Sequence, residues 1–209
     1  MVAVLDALGR DTIQAAAAAI ADGGVVGIPT DTVYGLAVDP GQPDAVERVF
    51  ALKERPDDVA LPVLISAWDQ VAALAGTLPE EAQRLAGLFW PGPLTLVVPR
   101  SGRFTADLGG RAAGRSTVGL RWPDDPVVTA LCSLVGPLAV TSANLHGEPP
   151  MTDAATVVAA FADRSGAGGL RLVVDGGTRD GTPSTVVACM GRASRCLRQG
   201  AIPWADLVG

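Results

Sequence analysis

The residues best equipped for chemistry in this sequence are two cations two positions apart, Lys53 and Arg55, and Lys53 is the only lysine among 16 Lys and Arg residues. An ammonium and a guanidinium so spaced can hold a polyanion. Lysine supplies a compact point charge, and arginine a fork that engages phosphate or carboxylate through two bonds. The same pair also suits the C-terminus of a helix, where cations meet the negative end of the macrodipole, and Pro56 disfavours helix at Arg55. On position alone, helix capping is the better of these two readings.

Other polar residues fall at the ends of expected strands. Thr32 follows VVGIP, Arg121 lies near the end of TVGLRWP, Ser142 and Asn144 follow LAVT, and Ser184, Thr185 and Arg198 belong to the last strands. Open α/β sheets bind ligands beyond strand ends. Cations combined with neutral hydroxyls and amides suit a polyanionic ligand, although serine and threonine at strand ends are more often turn formers. Several other chemistries lack their residues. There is no GxxxxGK[ST], no GxGxxG and no HExxH. His146 is the only histidine, so Ser142–His146 is the one Ser–His pairing available. It sits in a turn without a nucleophile elbow or an orienting acid, which argues against a serine hydrolase. Cys132, Cys189 and Cys196 form no CxxC, so no metal site is assigned.

These residues need a scaffold, and 209 residues with 48% hydrophobic and 18% charged content provide a globular domain with a real core. The net charge of −6 argues against a general nucleic-acid coat. The N-terminus lacks the pattern of a signal peptide, no run approaches the roughly 20 apolar residues of a membrane span, and the cysteines fit a reducing compartment. The expectation is a cytoplasmic protein with no membrane association.

Periodicity predicts helices over 11–21, capped by Asp11, and over a segment opened by Asp44 and ending near Lys53 to Arg55. Further helices are expected at 68–74, at 80–88 opened by Thr77, from Asp125–Pro126 to Val135, and from a Thr152 cap to Phe161. Strands are expected at VVGIP, PVLIS, LTLVV, TVGLRWP, LAVTS, and then a meander of LRLVVDGG, STVVAC and SRCLR. Strands separated by helices and followed by a meander imply a single α/β domain with a mixed sheet.

The blocks PTDTVYGL, Lys53-x-Arg55-Pro56, FWPGPLTLVV, VGLRWP, Ser142-x-Asn144 within TSANLHGEPP, DGG, PSTVV and LRQGAI occur in that order. Together they resemble the Sua5/YrdC/YwlC family of threonylcarbamoyl-AMP synthases over residues 12–207, in its short single-domain form. The resemblance implies one domain over 1–209: a YrdC-like twisted open mixed β-sheet flanked by helices, with a ligand cleft at strand ends. It also implies a reaction. L-threonine, bicarbonate and ATP, with Mg²⁺, give L-threonylcarbamoyladenylate and pyrophosphate, and a separate tRNA threonylcarbamoyl-transferase complex moves the group to N6 of adenosine 37.

By the same resemblance, Lys53, Arg55, Ser142 and Asn144 surround the triphosphate and the reacting carboxylate. Thr117 and Arg198 match positions on the nucleotide. Thr32, Arg121 and Thr185 match positions on threonine, with Ser184 taking the last role if the register differs by one. The stretch from Arg55 to Pro62 is longer than the family's KRPxxxPL form, and its Asp57 and Asp58 read as turn residues. Ser66 stands where some members have histidine, and Pro150 where a hydroxyl residue can occur. Two rival readings are an RNA-binding module of the same fold and a carbamoyl-transfer domain without threonine specificity.

Overall fold

The computed structural model describes residues 2–54, 56, 59–110, 116–161, 164, 169–191 and 193–208. Among them the elements run β1 (Ala3–Asp6), α1 (Thr12–Ala21), β2 (Val25–Ile28), β3 (Gly35–Val38), α2 (Pro43–Lys53) and β4 (Val63–Leu64). They continue with α3 (Trp68–Ala75), α4 (Glu80–Phe89), β5 (Leu94–Pro99), β6 (Thr117–Arg121), α5 (Pro126–Val135) and β7 (Leu138–Ser142). The last are α6 (Ala154–Phe161), β8 (Leu170–Asp175), β9 (Thr185–Cys189), β10 (Ser194–Arg198) and α7 (Trp204–Leu207). All ten strands join one open sheet in the order β1-β8-β2-β3-β7-β4-β6-β5-β9-β10. The sheet is mixed: β1–β8, β8–β2, β4–β6 and β5–β9 are parallel, and the other neighbours antiparallel.

The expected α/β sheet is present, with corrections. β1 and β3 were not anticipated. The terminal strands form no meander: β9 and β10 are a hairpin, but β8 lies between β1 and β2, toward the opposite edge. Capping also differs. Asp11 makes no side-chain bond at the start of α1, α2 opens on Pro43 rather than Asp44, and α4 follows Pro79 rather than Thr77. Asp153, not Thr152, caps α6, its Oδ1 accepting from the Thr156 amide at 2.8 Å. Asp125 behaves as expected, accepting from the amides of Val127 and Val128 at the start of α5.

Strand alternation divides the interior into two cores. Val63, Leu94, Leu96, Val118, Leu120 and Val187 join one cluster with α2, α4 and α6. Leu64, next to Val63, and Leu138 and Val140, on either side of Ala139 of the first cluster, face the other way and join a second cluster under α1 and α5. Each of these buried aliphatic side chains contributes about 1.5–3 kcal/mol. Helices α1 and α5 touch each other and, with β2 and β8, fill one half of that second face. Over β6, β5 and β9 the same face carries Thr95, Val97, Thr117, Gly119, Ser184 and Val186, and there the fold leaves a cleft.

Candidate active site

The cleft encloses about 600 Å³, within the usual range for a small-molecule site. Its floor is the sheet face just described. Its rim comes from strand ends: the loop after β2, Ser142 at the end of β7, and Pro150. The expected position at strand ends therefore describes the rim, while the floor extends across the sheet.

The loop after β2 is fixed by its own hydroxyls. Thr30 Oγ1 donates to the Val33 carbonyl at 2.7 Å and accepts from the amides of Thr32 and Val33. Its Oγ1 also lies 3.0 Å from Thr32 Oγ1. Thr32 Oγ1 accepts from Arg121 Nη1 at 3.0 Å. Arg121 is 6% exposed, and β6 alternation turns it onto the cleft face with Thr117 and Gly119. Its Nη2 meets Asp31 Oδ1 at 2.5 Å, and its Nε donates to the Gly92 carbonyl at 3.2 Å. That carbonyl is presented by the WPGP turn, which contains a cis Trp90–Pro91 bond. Burial pushes the Arg121 pKa down from the arginine range, and Asp31 pulls it back up.

At the other side of the rim, Lys53 closes α2 and is only 2% exposed. Its Nζ donates to the Ser142 carbonyl and, at 3.2 Å, to Asn144 Oδ1. Ser142 Oγ donates to the same oxygen, while Asn144 Nδ2 donates to the carbonyls of Leu145 and Glu148, each at 2.8 Å. Ser142 lines the cleft, and Lys53 and Asn144 hold it from behind. Arg55, with Asp57 and Asp58, lies outside the described residues.

Along the third side, Arg198 Nη2 donates to the Ser184 carbonyl at 2.8 Å, and Ser184 Oγ lies 2.9 Å from Thr95 Oγ1. The Arg198 guanidinium is held below its ordinary pKa first by burial and then by the positive charge of Arg121. Two guanidiniums that repel each other across a cleft without a carboxylate among its described lining residues form a site for anions.

Of the expected positions, Thr32, Thr117, Arg121, Ser142 and Arg198 line the cleft. Thr185 does not. It is fully buried on the opposite face of β9, where its Oγ1 donates to the Ile202 carbonyl and accepts from the amides of Gly200 and Ile202. Its neighbour Ser184 faces the cleft, as the alternative register had it. Gly200 closes this corner: a Cβ there would lie 2.1 Å from the Pro183 carbonyl oxygen. Ser66 hydrogen-bonds through its amide to Gln70 and does not line the cleft. Thr95, Val97 and Gly119 were not anticipated; the alternation of LTLVV and TVGLR is the signal that marks them.

A larger cavity of about 830 Å³ lies beyond Asp31, lined by Asp6, Asp124, Asp125, Asp175 and Asp180 together with Arg179. Its charge opposes a polyanion. Among the described residues no cluster of His, Cys, Asp or Glu is placed to hold a metal ion, and no helix is long and apolar enough to cross a membrane.

The Sua5/YciO/YrdC family model, described as "Telomere recombination", matches residues 18–200. The threonylcarbamoyl-AMP synthase of Pyrococcus abyssi is 39% identical over 197 residues, covering 93% of this chain and 56% of its own. A putative threonylcarbamoyl-AMP synthase of Mycobacterium tuberculosis is 36% identical, covering 91% of this chain and 84% of its own. The crystal structure of P. abyssi Sua5 complexed with L-threonine superposes with a TM-score of 0.86 at 34% identity, over 99% of this chain and 59% of that one. The chain thus spans little more than half the length of the P. abyssi protein.

Proposed function

Because the chain belongs to the Sua5/YciO/YrdC family, we propose that it is a threonylcarbamoyl-AMP synthase, forming L-threonylcarbamoyladenylate and pyrophosphate from L-threonine, bicarbonate and ATP. The observation that carries this reading is the cleft itself. Arg121 and Arg198 meet there with hydroxyls of Thr32, Thr117, Ser142 and Ser184, and no carboxylate stands among the described lining residues. ATP, bicarbonate and the carboxylate of threonine all bring negative charge, so such a lining lowers the repulsion that keeps them apart.

In this reading the threonine carboxylate sits on Arg121 and Thr32, with Ser184 in place of Thr185. The amine of threonine takes up the carbon of bicarbonate, with loss of water, to give a carbamate. A carbamate oxygen then attacks the α-phosphorus of ATP, the bond from that phosphorus to the bridging oxygen of the β-phosphate breaks, and pyrophosphate leaves. Thr117 and Arg198 hold the nucleotide. Ser142, aimed by Lys53 and Asn144, meets the phosphates, and Arg55 is assigned there by the family motif. The chemistry needs positioning and charge stabilisation more than a protein nucleophile. Mg²⁺ would enter as the companion of ATP and would neutralise phosphate charge; the described lining offers it hydroxyls and no carboxylate.

We place the reaction in the cytoplasm, with the adenylate passed to a tRNA threonylcarbamoyl-transferase complex and with weak tRNA contact. The test is pyrophosphate release from ATP with and without L-threonine and bicarbonate, with serine as control. Release that needs both supports the reading; release indifferent to threonine removes it.

A further inference from the structure

Asp31 does not line the cleft, yet it holds a buried cation that does. Its carboxylate and the Arg121 guanidinium meet at 2.5 Å, with side chains 13% and 8% exposed. The other two contacts of Arg121 are neutral acceptors from different elements, Thr32 Oγ1 and the Gly92 carbonyl. A guanidinium has five N–H donors, and these contacts take three, leaving one on each terminal nitrogen. Both terminal nitrogens therefore keep an N–H from which a substrate carboxylate can accept. Of the three contacts only the one to Asp31 is charge-assisted, which makes it the strongest restraint on the guanidinium.

Asp31 is itself backed by a second ion pair in the acidic cavity, Arg179 with Asp125 at 3.0 Å. Arg179 belongs to the segment that crosses from β8 to Ser184. That segment is tied to the site by the Arg179 amide on the Thr152 carbonyl and the Gly181 amide on the Thr32 carbonyl, at 2.8 and 3.2 Å. The wall between the two cavities is therefore built from opposite charges, with Asp31 at its centre.

We infer that Asp31 is a positioning residue for the amino-acid subsite: it orients Arg121 so that the two remaining N–H groups face a substrate carboxylate, without touching substrate itself. This rests on the reading of the cleft as a threonine and ATP site. A purely structural ion pair would affect both substrates together, whereas a positioning role is confined to threonine.

In the full chain, Asp31→Asn keeps the size and one acceptor oxygen but replaces the charged bond with a neutral one, and Asp31→Ala removes it. The KM for threonine should rise about tenfold in the first and further in the second, while the Kd for ATP without threonine stays within about twofold of wild type. Unchanged threonine KM in the asparagine variant, or threonine and ATP affinities falling by one common factor, overturns the inference. Should Asp31→Ala not fold, Asp31→Asn decides alone. A wild-type protein without threonine-dependent pyrophosphate release fails the proposed function and this inference with it. A threonine-dependent wild type beside an unaffected Asp31→Asn fails only the inference.

Discussion

Lys53 and Asn144, 91 positions apart in the chain, are joined by a hydrogen bond of 3.2 Å from Nζ to Oδ1. The end of α2 is thereby fastened to the turn after β7, and Ser142 is held between them through its carbonyl and its hydroxyl. Capping of α2 and service to the cleft are compatible roles, because ending the helix at Lys53 is what aims the ammonium at β7.

Lys53→Met keeps most of the buried stem and deletes the charge. Pyrophosphate release should fall by about 100-fold or more, the usual loss when a preorganised charge stabiliser is removed. Thermal stability should change little, because the buried stem is kept and the desolvation cost of the ammonium disappears with it. Steady-state kinetics beside a melting curve check both halves. Full activity would remove Lys53 from the mechanism.

Ser184 and Thr185 should separate function from folding. Thr185→Val leaves the amides of Gly200 and Ile202 and the carbonyl of Ile202 without their hydroxyl partner. A loss of about 1–3 kcal/mol in denaturant unfolding is expected, with kcat retained in the folded fraction. Ser184→Ala should do the reverse, raising substrate KM while the melting temperature holds. Equal effects of the two on KM would contradict the assignment of faces along β9.

This pair also shows what the sequence could and could not reveal. Period-two alternation marks which residues of STVVAC share a face, but not which face carries the ligand; that depends on where α1 and α5 leave the sheet bare. The helices and most strands were legible because their apolar spacing is local. β1 and β3 were not, since β1 is an exposed edge strand and β3 offers only GLAV beside a polar loop. The place of β8 beside β2 was hidden for a different reason: three strands in succession look like a meander, and only packing reveals the crossing. Lys53–Asn144 and Arg121–Asp31 are long-range contacts that no local pattern specifies.

The two fully buried thiols predict an alkaline weakness. Burial raises Cys132 from 9.0 to about 12 and Cys189 from 9.0 to about 11. The folded state therefore keeps protons that the unfolded chain releases, so stability is intact below pH 9 and falls as pH rises from there through the folded values. The slope should approach about 1.4 kcal/mol per pH unit for each thiol. Urea unfolding from pH 8 to 11 measures it. Cys132→Ala should be less stable at pH 8 because of its cavity, yet lose less on going to pH 11; an unaltered slope would show that other groups cause the loss.

Gly119 tests whether ligand occupies the sheet face. A Cβ there would lie 3.5 Å from Pro62 Cβ and 3.7 Å from Thr95 Cγ2, ordinary contact distances, so alanine fits the folded chain. Replacing a strand glycine lowers the entropy of the unfolded chain, and Gly119→Ala should gain about 0.5–1 kcal/mol in stability. The new methyl nevertheless projects between Thr117 and Arg121, onto the floor that the proposed substrates must cover. A more stable protein that binds ATP or threonine less tightly is the expected outcome, read by calorimetric titration and thermal unfolding of the same samples. If stability and both affinities rise together, the floor of the cleft is not where the substrates lie, and the site must be confined to its rim.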